Sequence, residues 1–175
     1  IQFNVVSGVL HEVEGHAGRY YQRAWSEIAD WVSAASVMRD LSYSRVGFLG
    51  HTYPGMLDMY SDFTMVHGQL GVHVEVLEMD DLHQRVQSAT DVEVEAKIAE
   101  ISSTFNIVGR GRDKISQDVT PDALRWTARV AVGLDRLVGD FDLNGLTYYY
   151  RGLDGNPNEE LGATLIIGNS LLTGR

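Results

Sequence analysis

Hydrophobic side chains recur along this chain in two alternating rhythms, and their alternation predicts the class of fold. Short apolar runs mark four strands: Gln2 to Ser7, Arg45 to Gly50, the strictly alternating Val72 to Val76, and Gly145 to Tyr150. Between them apolar residues return every three or four positions, as one buried face of a helix requires. From Gly18 to Arg39 that face is Tyr21, Ala24, Trp25, Ile28, Val32 and Ala35. In the stretch opened by Thr120 and Pro121 it is Leu124, Ala128, Ala131, Leu134 and Val138.

The punctuation between these runs sharpens the boundaries. Gly71 is placed to close a helix over Met56 to Leu70. Asp80 is placed to cap a short helix ending near Ala89, and Thr90 with Glu93 makes a capping box for a helix to about Phe105. Pro121 falls at a first helical position, where its missing N–H costs nothing. Gly109 to Gln117 reads as a polar connection, and Pro157 to Leu172 as a last helix. The order β-α-β-α-β-α-α-α-β-α predicts an α/β fold, a three-layer α/β/α sandwich with a mainly parallel sheet. It is Rossmann-like but lacks the glycine-rich dinucleotide fingerprint. A length of 175 residues suits a single α/β domain over 1–175.

Composition then removes whole classes of function. A hydrophobic fraction of 44% and a charged fraction of 22% are those of a soluble globular protein. The net charge is −10, and the 14 Lys and Arg residues are scattered. Only Arg110, Arg112 and Lys114 form a knot, in a glycine-containing segment that reads as a solvated loop. Nucleic acid is therefore not an expected partner, because phosphate binding needs a clustered basic face. No apolar run approaches the roughly 20 residues that cross a bilayer, so no membrane partner is expected either. With no cysteine, disulfides and thiol catalysis are excluded, and a cytoplasmic location is expected. Both ends read as the interior of a longer chain, so any catalytic set is expected to be incomplete here.

In an open α/β sheet, ligands lie outside the carboxyl ends of the strands, which directs attention to three loops. The first carries His11, Glu12, Glu14 and His16; the two histidines are five apart, the wrong spacing for two ligands on one helical face. The second runs Gly50-His51-Thr52-Tyr53-Pro54-Gly55-Met56-Leu57-Asp58, with His51, Tyr53 and Asp58 as candidate substrate-binding side chains. The third offers Arg151, Asp154, Asn156, Glu159 and Glu160. The fork of Arg151 suits a sugar hydroxyl, a phosphate or a carboxylate. Glu159 and Glu160 are candidate catalytic acids, able to move a proton or ligate a hard metal. A plainer account is also available for them: Asn156 as helix cap, Pro157 at the first position, and two acids favoured by the helix dipole. No GxGxxG follows a strand, and neither GxxxxGK[ST] nor a G-x-S-x-G elbow is present.

These same segments resemble a known family. Asn4-Val5-Val6-Ser7-Gly8 is similar to the opening of the central domain of L-arabinose isomerases. Val46 to His51, Tyr53-Pro54-Gly55-Met56 and Asp58 resemble a loop of L-fucose/L-arabinose isomerase-like proteins. Ala128-Arg129, Gly133-Leu134 and Leu146 to Gly155 resemble a helix-and-strand unit that leads to the catalytic centre. The resemblance implies the central domain of an enzyme that interconverts an aldose and a ketose, using Mn2+ and carboxylates that shuttle a proton through an enediol. It implies a sugar substrate and a homo-oligomer, commonly a hexamer, with most metal ligands outside this chain and the isolated chain inactive. One position departs from the pattern. Where L-arabinose isomerases place a metal-binding glutamate after the last strand, this chain has Arg151, which cannot ligate a cation. Glu159 or Glu160 would have to take over, or the subgroup would handle a different substrate. The alternative is a sugar or small-polar-ligand binding module on the same scaffold, or a purely structural domain of a larger enzyme.

Overall fold

A computed structural model describes residues 4–11, 14–56, 59–110, 117–150 and 155–174. The chain divides into two compact units, one made of 1–44 and 64–73, the other of 45–63 and 74–175.

In the first unit the long amphipathic stretch forms α1 (His16–Tyr43). Gly8 lies so close to it that a Cβ there would meet the Cβ of Ala24 at 2.5 Å. The indole N–H of Trp25 donates to the carbonyl of Leu10 at 3.1 Å. The strand expected over Gln2 to Ser7 is not formed by its described residues 4–7. Val5 is 69% exposed, and the segment runs along α1 through Gly8 and Leu10 instead of joining a ladder. The next helix, α2 (Phe63–Leu70), starts later than expected. Ser61 and Asp62, which precede it, are residue types that favour helix entry over helix interiors. Gly71 ends it as anticipated, at φ 77° with its N–H bonded to the His67 carbonyl at 2.8 Å.

The second unit is built on a three-stranded parallel sheet of β1 (Arg45–Gly50), β2 (His73–Leu77) and β3 (Gly145–Tyr149), in the order β2-β1-β3. β1 and β3 run in register from Val46 opposite Gly145 to Gly50 opposite Tyr149. The remaining helices are α3 (Met79–Gln87), α4 (Asp91–Thr104), α5 (Pro121–Asp140), α6 (Pro157–Ala163) and α7 (Leu165–Thr173). The α/β class read from the sequence therefore holds. Leu49 and Leu77 of the sheet meet Leu82 and Val86 of α3, Val130, Leu134 and Leu137 of α5, Leu161 and Leu165 in one core. A second cluster joins Ala89, Val94 and Ile101 to Ala128, Val132 and Leu171. α5 supplies both clusters, which is why its apolar surface is broader than one stripe.

Two boundaries differ from expectation for local reasons. α3 is capped at Glu78, not Asp80, and the Asp81 carboxylate accepts the Glu78 N–H at 2.9 Å. The earlier start puts Met79, Leu82 and Val86 on one buried face. The last helix is two helices, broken at Thr164, whose hydroxyl donates to the Glu160 carbonyl at 2.7 Å. Its N–H turns to Leu161 instead of residue 160, so the ladder tightens there.

Charged pairs bind α4 to α5. Arg125 and Arg129 both reach Asp91, at 2.7 and 3.1 Å, and Arg125 also pairs with Glu95. The buried Lys97 bonds Asp135 at 2.6 Å and Glu100. Burial works against its charge, but the two carboxylates outweigh it and hold Lys97 above the ordinary lysine value. The capping box forms as read: Thr90 N–H donates to Glu93 at 2.8 Å, and Glu93 N–H to the Thr90 hydroxyl at 3.4 Å. The Thr90 hydroxyl and N–H, then Arg136, hold the Glu93 carboxyl at about 2, below its ordinary 4.5. A depressed carboxylate contributes its stability in full above the unfolded pKa and loses it as pH falls through the folded one. Glu93→Gln should therefore unfold at lower urea than the wild type at neutral pH, and that gap should shrink as pH falls from about 5 to about 2. A gap that stays constant with pH would contradict this role for the ionised form.

No helix among the described residues is long and apolar enough to cross a membrane.

Candidate functional site

The sheet order reverses at β1, with β2 on one side and β3 on the other. Ligands of open α/β sheets bind where this reversal occurs, outside the carboxyl ends of the strands. Here that is the edge formed by the ends of β1 and β3.

Gly50 makes the junction possible. It sits at φ 83°, and a Cβ there would collide with the Tyr149 carbonyl. The His51 N–H then donates to that carbonyl at 3.0 Å, adding one rung beyond the strand. Two rings stand steeply to the ring of Tyr149. His51 lies 5.3 Å from it with an interplanar angle of 68°, and Tyr53 lies 5.2 Å away at 74°. His51 is also 6.3 Å from Tyr150. Its Nδ1 lies 2.8 Å from the Thr52 carbonyl; a carbonyl only accepts, so Nδ1 carries the proton and Nε2 of the neutral ring presents a lone pair. Tyr53 is 39% exposed. Its ring covers Gly55 so closely that a Cβ there would approach it to 2.6 Å.

β3 leads on to α6, whose cap is Asn156, as read from the sequence; its side chain accepts the Asn158 N–H at 2.8 Å. Glu159 and Glu160 occupy the first turn of α6 and are exposed. His51 and Tyr53 are thus brought together, through Tyr149, while the two glutamates sit on the helix that follows β3. Asp58, Arg151 and Asp154 lie outside the described residues. Tyr149 and Tyr150 are the members of this edge that sequence reasoning missed. Tyr148-Tyr149-Tyr150 reads as an apolar strand end, and only the register with β1 shows that Tyr149 closes the strand beside Gly50.

Among the described residues no three His, Cys, Asp or Glu side chains converge as a metal site. The described donors therefore do not by themselves fit a bound cation, and no chemistry is routed through one here. What the edge does offer is ring surface, phenol hydroxyls and one imidazole acceptor, a set suited to binding and orienting a polar molecule with apolar faces.

Comparison with curated proteins finds no match to the chain. The family model described as L-arabinose isomerase central domain matches residues 61–158. That span runs from just before α2 through β3 into α6; His51 and Tyr53 precede it, and Glu159 and Glu160 follow it directly.

Proposed function

Because this chain belongs to the L-arabinose isomerase central-domain family, we propose that it serves as one domain of a sugar isomerase, interconverting an aldose such as L-arabinose or L-fucose with its ketose. The family match over residues 61–158 carries this reading. The β1–β3 edge supports it, since its rings and imidazole suit a sugar and it lies where the topology favours ligands.

Aldose–ketose interconversion removes a proton from the carbon beside the carbonyl and returns one to the neighbouring carbon, through an enediol. His51 and Tyr53 bind and orient the sugar at the end of β1, and Asp58, Arg151 and Asp154, which follow β1 and β3 in sequence, are proposed as further hydroxyl partners. Glu159 and Glu160 are the first glutamates after β3, and in this reading one of them moves the proton. Mn2+ would supply polarisation of the carbonyl and hydroxyl oxygens; the described residues of this chain do not by themselves make a site for it. The enzyme works in the cytoplasm as a homo-oligomer, of hexameric order in the fullest case.

Isomerisation by the intact protein in D2O tests the mechanism. The ketose and recovered aldose should carry solvent deuterium at the exchanged carbons. Turnover without label would replace proton transfer by a hydride shift, and sugar binding without any product would leave a binding module.

A further inference from the structure

We propose that Tyr149 is the floor of a monosaccharide subsite, with Tyr53 as its wall and Nε2 of His51 as the acceptor for one sugar hydroxyl. This rests on the sugar reading above and assigns roles within that site.

Tyr149 is fixed more firmly than a loop residue. It pairs with Gly50 in the β1–β3 register, and its carbonyl holds the N–H of His51 at 3.0 Å. The two other rings are oriented by separate devices. The Thr52 carbonyl at 2.8 Å fixes the imidazole tautomer of His51, and Gly55 leaves room for the Tyr53 ring that no larger residue would. Both meet the Tyr149 plane at steep angles, 68° and 74°. Preorganised rings hold a ligand better than mobile ones because less freedom is lost on binding.

The chemistry on display matches a monosaccharide. Its axial C–H groups form an apolar face that lies against an aromatic ring, and its hydroxyl rim needs donors and acceptors. With Nδ1 turned to the Thr52 carbonyl, Nε2 is the ring nitrogen left to meet a sugar hydroxyl. The phenol groups of Tyr53 and Tyr149 both donate and accept.

The test is saturation-transfer NMR on the intact, metal-free protein with L-arabinose and L-fucose as probes, followed by titration. Saturation should concentrate on the sugar C–H protons. Tyr149→Leu and Tyr53→Leu should each weaken binding by about tenfold, whereas Tyr149→Phe should keep most of it. His51→Phe, which keeps the ring and removes the acceptor, should weaken binding as well. Should Tyr149→Leu fail to fold, the half-exposed Tyr53→Leu carries the test. Wild-type affinity in folded Tyr149→Leu or Tyr53→Leu would overturn the subsite, as would a wild type that binds neither sugar. Binding with this mutational pattern but no turnover would uphold the subsite and remove the isomerase reading. Turnover with affinity indifferent to these residues would do the reverse.

Discussion

Gly133→Leu should destabilise the second unit by about 3 kcal/mol, as overpacking of a closed interface does. Gly133 faces α3 from α5, and a Cβ there would press on the Val86 side chain and lie 2.9 and 3.0 Å from the Val86 backbone nitrogen and Cα. A side chain can rotate away; the backbone of a packed helix cannot. Leu134 and Val86 are 0% and 2% exposed on either side, so there is no room for α5 to shift. In thermal melts the loss should appear as a drop of roughly 6 to 12 °C. Gly133→Ala should be milder, since alanine recovers about 1 kcal/mol of helix propensity against its own clash. Gly139, where a Cβ would meet nothing within 4 Å, is the control position on the same helix. A Gly133→Leu melt that overlays the wild type would mean that α3 and α5 are not in backbone contact.

Gly50→Val should have the second large effect, and it should fall on the site as well as on stability. The left-handed φ of 83° costs a β-branched residue about 1 to 3 kcal/mol. The added Cβ also drives into the Tyr149 carbonyl, which is the acceptor for His51. Losing that rung frees His51 from Tyr149, and with it the orientation of both rings. The expected result is a total cost of about 3 kcal/mol by urea unfolding, with loss of the tyrosine near-UV dichroism from the edge. A valine variant that keeps wild-type stability and ring signals would show that the β1–β3 junction does not depend on this glycine.

These two glycines mark how far the sequence could be read. The period of Leu124, Ala128, Ala131, Leu134 and Val138 located α5, and the chemistry of Thr90, Glu93, Thr120 and Pro121 located two helix starts, because caps and stripes are local devices. β1 was legible to the residue for the same reason, an apolar run closed by glycine. Failures came where a distant partner decided the outcome. Val5 and Val6 have strand composition but lie in a segment without a ladder to join. Met79 moved the start of α3 because the core needed it buried, and the Thr164 hydroxyl split a helix whose apolar pattern was continuous. The reason for a glycine at 133, in the middle of α5, lies in the closeness of Val86, which no local pattern reveals.

The site was half legible. His51 and Tyr53 stood out because a loop that only turns does not need them, and the structure brings both against one residue. Tyr149 was hidden because, in sequence, it is a strand residue like its neighbours. Its place at the edge follows from pairing with Gly50, 99 positions earlier by the numbering of the two residues. Glu159 and Glu160 were read both as catalytic acids and as helix-start residues. Their exposed positions in the first turn behind Asn156 agree with the helix-start account and leave the catalytic one to activity measurements.

The most direct measurement is aldose-to-ketose conversion by the intact protein, assayed with L-arabinose and L-fucose in the presence of Mn2+ and again after chelation. The proposed isomerase function predicts ketose formation, and the proposal that Mn2+ serves it predicts that this stops on chelation and returns when Mn2+ is restored. No ketose from any sugar, with the protein folded and Mn2+ present, would contradict the isomerase assignment and leave the β1–β3 edge as a binding site alone.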